Sequence, residues 1–151
     1  MIYKSYTIEN NLEIIKEKIV LFYGENTGLI SDIKKKIKAH NKNCEILNYD
    51  QEDVLKDTEI VFNDINNISL FGQKKIYFIN QPSEKIIDFI EEILPKLEKQ
   101  NIFLFTGVLE KKSKLRNFFE KSKDCGIVPC YADNEIGIKK IIQEKLKGFE
   151  G

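Results

Sequence analysis

Ile19-Val20-Leu21-Phe22-Tyr23-Gly24-Glu25-Asn26-Thr27-Gly28-Leu29-Ile30 is the stretch that decides the fold class. Five consecutive apolar or aromatic residues, stopped by a glycine, read as a strand with both faces buried. An alternating pattern would mark a half-exposed strand instead. Beyond the glycine, Ile30, Ile33 and Ile37 recur at helical spacing with lysines between them. The same unit then repeats along the chain. Cys44 to Tyr49 reads as a second, weaker strand. Asp50 can cap the next segment, where Val54, Leu55, Ile60 and Val61 mark one or two short helices. Ile76 to Ile79 is a third strand, succeeded by Ser83 as an N-cap and a broad apolar helix face from Ile86 to Leu94, stopped by Pro95. Ile102 to Phe105 is a fourth, ended by Gly107. A basic helix over 111–123 carries Leu115, Phe118 and Phe119. Gly126 to Cys130 is a fifth strand, whose Pro129 points to an edge or a strand end. A last helix starts near Asp133. The alternation predicts an α/β domain: a five-stranded parallel sheet with helices on both faces.

Length and charge narrow the function. A chain of 151 residues suits one domain that buries its own core. Lys+Arg and Asp+Glu are balanced at 24 each, so binding to nucleic acid through bulk charge is not expected, and any DNA contact is local or shared with partners. The three cysteines, Cys44, Cys125 and Cys130, form no CxxC pair, which argues against a disulfide framework or a zinc site and for reduced cytosolic thiols. No run approaches 18 apolar residues, and the first eleven residues hold no apolar signal region. A cytoplasmic protein with no membrane contact is expected.

Ligands of parallel sheets bind beyond the C-terminal strand ends, so those ends are where catalysis is tested. A phosphate-binding loop reads GxxxxGK and then Ser or Thr, because backbone amides wrap phosphate, the lysine meets its charge and the hydroxyl holds Mg²⁺. After the first strand the glycines are one residue too close, Leu29-Ile30 stand where Lys-Ser/Thr belong, and Glu25 repels phosphate. After the third strand, Asn80-Gln81 replace the acid that would hold Mg²⁺. Asp50 ends a strand, but not the one a phospho-accepting aspartate requires. His40, the sole histidine, falls near a helix C-terminus, where capping explains it. Cys130 is better explained as a small buried hydrophobe than as a nucleophile. No catalytic residue, metal or cofactor is expected.

Two signals remain. Leu70 and Phe71 in Ile68-Ser69-Leu70-Phe71-Gly72 are adjacent, so on a regular element they cannot both face the core. They either complete the core beneath a turn or project as an apolar wedge; burying both in a partner is worth roughly 3–6 kcal/mol. Around Ser113, which can cap a helix, Lys111, Lys112, Lys114 and Arg116 form either a solvated basic face or a contact to DNA phosphate or an acidic partner.

Three blocks together resemble the bacterial DNA polymerase III delta subunit, the clamp-loader component. They are Phe22-Tyr23-Gly24-Glu25-Asn26 closing the first strand, Leu70-Phe71-Gly72-Gln73-Lys74-Lys75-Ile76 leading into the third, and Val108-Leu109-Glu110-Lys111-Lys112-Ser113-Lys114-Leu115 after the fourth, which departs from the family pattern only in its first residue. The resemblance runs through nearly the whole chain. It implies an AAA+-like fold, related to P-loop proteins, that has lost its nucleotide site. It also implies that Ile68, Ser69, Leu70 and Phe71 enter a hydrophobic pocket of the sliding clamp, opening the ring for loading onto primed DNA. The subunit would be non-catalytic by itself, within a DNA-directed DNA polymerase holoenzyme. Other clamp-loader subunits would be partners of the full-length protein, with DNA contacted weakly or indirectly. Residues 1–131 would be the clamp-binding domain and 132–151 the start of a lid domain belonging to a longer chain. The alternatives from the fold pattern alone are an unusual P-loop ATPase and a flavodoxin-like ligand-binding domain.

Overall fold

The computed structural model describes residues 1–66 and 74–131. Strand β1 spans Ile19–Tyr23, β2 Glu45–Asp50, β3 Lys75–Asn80, β4 Asn101–Phe105 and β5 Cys125–Pro129. All neighbours pair in parallel, in the order β2-β3-β4-β1-β5. Every residue of β1, and the inner four of β3, are buried. The edge strand β2 has none buried, consistent with its weaker apolar pattern. Pro129 closes β5 at the opposite edge, where the missing N–H removes no inner ladder bond.

The helices are α1 (Ser5–Asn10), α2 (Thr27–His40), α3 (Gln51–Lys56), α4 (Thr58–Asn66), α5 (Ile87–Ile93) and α6 (Lys114–Lys121). Their placement results from strand order. The β1-to-β2 connection runs one way along the sheet, whereas β2 to β3, β3 to β4 and β4 to β5 run the other. Right-handed crossovers therefore put α2 on one face and α3 to α6 on the other. The core divides accordingly. Val20, Phe22, Phe78, Phe103 and Val128 pack with Ile30, Ile33 and Ile37 of α2. Leu21, Tyr77, Ile79 and Leu104 pack with Val54, Val61, Ile90 and Leu115 on the other side.

Local signals act as the sequence indicates. Ser113 Oγ accepts from the Arg116 amide at 3.2 Å, and Asn26 Oδ1 caps α2 by accepting from the Leu29 amide at 3.1 Å. Asp53 reaches back to the Asp50 amide at 3.4 Å. Two differences are informative. The basic helix is shorter than 111–123, because Lys111 and Lys112 lie in a turn before the Ser113 cap. The first fifteen residues, read only for a signal segment, form α1 and a 3-10 turn over Leu12–Ile14. They bury Ile8, and Ile2 bridges Ile127 on the outer side of β5. The expected helix beyond Asp133 lies outside the described residues.

Candidate functional site

Connections from the adjacent strands β1 and β4 leave to opposite faces, so the crevice beyond their C-terminal ends is where a parallel α/β fold takes a ligand. Here it is filled by the protein. The β1–α2 turn is only Gly24-Glu25-Asn26, and three amides in and next to it are engaged internally. Gly24 N–H donates to Gly107 O at 3.1 Å, Asn26 N–H to Cys130 O at 3.1 Å and Thr27 N–H to Glu25 O at 3.0 Å. Asn26 Nδ2 donates to Tyr131 O at 3.2 Å. Gly24 has φ +139°, and its α-carbon sits so close to β5 that a Cβ would lie 1.9 Å from Cys130 O. This glycine serves chain packing rather than a phosphate cradle.

The neighbouring positions are likewise occupied. Lys34 of α2 donates to Asn80 Oδ1 at 2.8 Å, with its ammonium 4.5 Å from the centre of the Phe105 ring. Burial, then the nearby Lys38 charge, pull its pKa below the ordinary lysine value. Asn80 Nδ2 in turn reaches Asn48 Oδ1 at 3.3 Å. On the other face, the Arg116 guanidinium stands 5.3 Å from the Tyr23 ring centre, donates to Leu109 O at 3.1 Å and pairs with Glu120. The Tyr23 and Tyr131 hydroxyls are 3.3 Å apart. Burial, reinforced by that contact, raises the Tyr23 pKa above the ordinary phenol value. Cys130 is fully buried, and burial pushes its thiol up to about 12, the opposite of an activated nucleophile. No cluster of three or more His, Cys, Asp or Glu suited to a metal occurs among the described residues.

Of the basic residues singled out in the sequence, Lys111, Lys112 and Lys114 are exposed, and Lys114 makes one loose pair with Glu84 at 3.9 Å. Arg116 does not join them: its side chain is 16% exposed and its donors are turned inward. His40 ends α2, 4.0 Å from Glu13, as a C-terminal position predicts. Ile68, Ser69, Leu70 and Phe71 lie outside the described residues.

The flanks of that segment are described, and they hold a feature that sequence reading missed. Asp64, in the last turn of α4, accepts from the Tyr77 hydroxyl at 2.9 Å and pairs with Lys75 at 3.4 Å. Lys75 also reaches Asp64 O at 3.5 Å, and Gln100 Nε2 reaches Ile65 O at 2.6 Å. Lys75 and Tyr77 of β3 and Gln100, just before β4, thus hold the last turn of α4. The available signal was an acid at a helix C-terminus, where the dipole disfavours it unless a cation or donor is present.

The family model for the DNA polymerase III delta subunit matches residues 20–130. The chain belongs to this family. It is 28% identical over 133 residues to the probable DNA polymerase III subunit delta of Rickettsia prowazekii (strain Madrid E), across 87% of this chain and 40% of that protein. Its fold resembles that of the DNA clamp loader delta protein of Bacillus subtilis, with a TM-score of 0.59 at 13% identity, covering 84% of this chain and 41% of the other. The chain spans about two fifths of the length of these relatives. Membership agrees with the resemblance read from the three sequence blocks, and the parallel five-stranded architecture agrees with the fold it implied. No helix among the described residues is long and apolar enough to cross a membrane.

Proposed function

We propose that this delta-family domain is a clamp-binding, ring-opening module of a replication clamp loader that does not itself turn over nucleotide. The observation that carries the nucleotide-silent part is the closed β1–α2 turn. The N–H groups of Gly24, Asn26 and Thr27 are spent on Gly107, Cys130 and Glu25, and Lys34 is engaged by Asn80 at the end of β3. The clamp-binding part rests on family membership and on the Ile68-Ser69-Leu70-Phe71 block, which comes directly after the anchored end of α4. In this reading the two large apolar side chains enter a hydrophobic pocket of the sliding clamp. The energy of burying them, roughly 3–6 kcal/mol, is drawn on to distort the ring. Residues 132–151 would begin the connection to the rest of a longer subunit, through which other loader subunits are contacted.

Calorimetry with the cognate clamp tests this. The Leu70→Ala, Phe71→Ala double variant should keep its circular dichroism and lose at least about a hundredfold in affinity, the equivalent of about 3 kcal/mol. A double variant that unfolds would mean the pair belongs to the core, and undiminished binding would remove the wedge. Saturable, Mg²⁺-dependent ATP binding by the unaltered chain would overturn the nucleotide-silent reading.

A further inference from the structure

Past the end of β5 the chain is held beyond what strand pairing requires. β5 ends at Pro129, opposite Tyr23. Cys130 and Tyr131, which follow, are bound to β1 and the turn after it. Cys130 N–H donates to Tyr23 O at 2.6 Å, which continues the strand ladder. Three further contacts do not belong to the ladder. Asn26 N–H donates to Cys130 O at 3.1 Å, and Asn26 Nδ2 donates to Tyr131 O at 3.2 Å. The Tyr23 and Tyr131 hydroxyls lie 3.3 Å apart, with their rings edge-on at 90° and 6.3 Å between centres. The holding side is itself fixed. Tyr23 is buried, and the Arg116 guanidinium lies against its ring. Asn26 Oδ1 accepts from the Leu29 amide at 3.1 Å. Gly24 admits the close approach, since any Cβ there would collide with Cys130 O. Asn26 thus caps α2 with its side-chain oxygen and grips two successive carbonyls with its backbone and side-chain N–H groups.

We propose that the β1–α2 turn is a clasp on the exit of the chain from β5, and that it fixes the direction in which the segment after Tyr131 leaves the domain. In a P-loop protein, amides at this turn and at the start of the next helix hold a phosphate, which comes and goes. Here the Asn26 amide is spent on a carbonyl of the same chain. A group carried on the chain stays at high effective concentration and does not depart by diffusion. The exit direction is therefore set by the chain itself, with no ligand required. Asn26 and Tyr23 are positioning residues in this arrangement, acting on Cys130 and Tyr131. The clasp is separate from the Leu70-Phe71 pair and does not depend on clamp binding.

Limited digestion with chymotrypsin reads the clasp. The bond from Tyr131 to Ala132 is cut only when the Tyr131 side chain leaves Tyr23 and enters the specificity pocket of the protease. At low protease the rate follows the open population, and mass spectrometry identifies the cut. In the unaltered chain this cut should be at least about tenfold slower than in a free peptide of residues 127–136. Asn26→Asp keeps the oxygen that caps α2 but puts a second oxygen where Nδ2 meets Tyr131 O. Cutting should quicken at least about fivefold, with the urea midpoint moved by less than about 0.3 M. Tyr23→Phe removes one hydroxyl and leaves the cut residue unaltered, so it should quicken cutting about two- to tenfold. It also serves if Asn26→Asp fails to fold. Asp64→Ala loosens α4 on β3, away from β5. It should lower the stability of the whole domain and leave this cut unchanged. Three results would overturn the proposal: cutting of the unaltered chain within about twofold of the peptide, an unchanged rate in either folded clasp variant, or an equal quickening by Asp64→Ala, since the opening would then be global.

Discussion

Replacing Gly24 with alanine should cost this domain a large part of its stability without touching any ligand. The added Cβ would stand 1.9 Å from Cys130 O, 2.5 Å from Cys130 C and 3.0 Å from Cys130 N. All three are backbone atoms, so no side-chain rotation relieves the overlap. Moving the end of β5 away would break the Cys130 N–H to Tyr23 O bond at 2.6 Å and the Asn26 N–H to Cys130 O bond at 3.1 Å. Each such bond, once broken in a buried place, costs about 1–3 kcal/mol. Holding an L-residue at φ +139° adds about 1–3 kcal/mol. The total is about 3–9 kcal/mol, set against the 5–15 kcal/mol typical of whole domains. Urea unfolding monitored by circular dichroism reads it directly: with m of about 1–3 kcal/mol/M, the midpoint should fall by at least about 1 M. Gly28→Ala is the internal control. Its Cβ would meet only Asn26 Oδ1, at 3.7 Å, inside α2, so alanine there should be neutral or stabilising by up to about 1 kcal/mol. A Gly24→Ala loss below about 1 kcal/mol would refute the close-approach argument, and with it the claim that this glycine serves β5 rather than a phosphate.

Two further outcomes are expected. Tyr3, Tyr23, Tyr49 and Tyr77 all have pKa values raised chiefly by burial. The unfolded chain therefore loses these protons first, and stability should fall as pH rises past about 10, the ordinary phenol value. An ultraviolet titration in which all six tyrosines ionise together at that pH with the fold intact would contradict this. Asp64→Asn removes the charge that pairs with Lys75 and weakens the bond to Tyr77, so it should lower stability by about 1–3 kcal/mol and weaken clamp binding severalfold by loosening the end of α4. Unchanged stability and affinity would dismiss that anchor.

The strands were legible because they lie inside. β1 matches its sequence reading residue for residue, and the others match within one residue at each end, because a strand covered on both faces must be continuously apolar. The caps at Ser113 and Asp50 were legible because they are local. The N-terminal α1 was not: six residues with one buried isoleucine carry too short a pattern, and its place is set by packing against α2. Arg116 shows the limit for surface charge. As a letter it belongs with Lys111, Lys112 and Lys114, but beside its i+4 partner Glu120 its guanidinium is recruited inward by Leu109 O and the Tyr23 ring, which its own neighbourhood in sequence does not single out.

By itself the sequence determined the parallel α/β class, the absence of a phosphate-loop lysine and hydroxyl, and the family blocks, because each depends on residue type at short spacing. Only the tertiary structure decided that Lys34 meets Asn80 in the crevice and that Asp64 ties the end of α4 to β3. Those facts join residues brought together by crossovers between strands, and strand order, which no local pattern encodes, sets which of them meet.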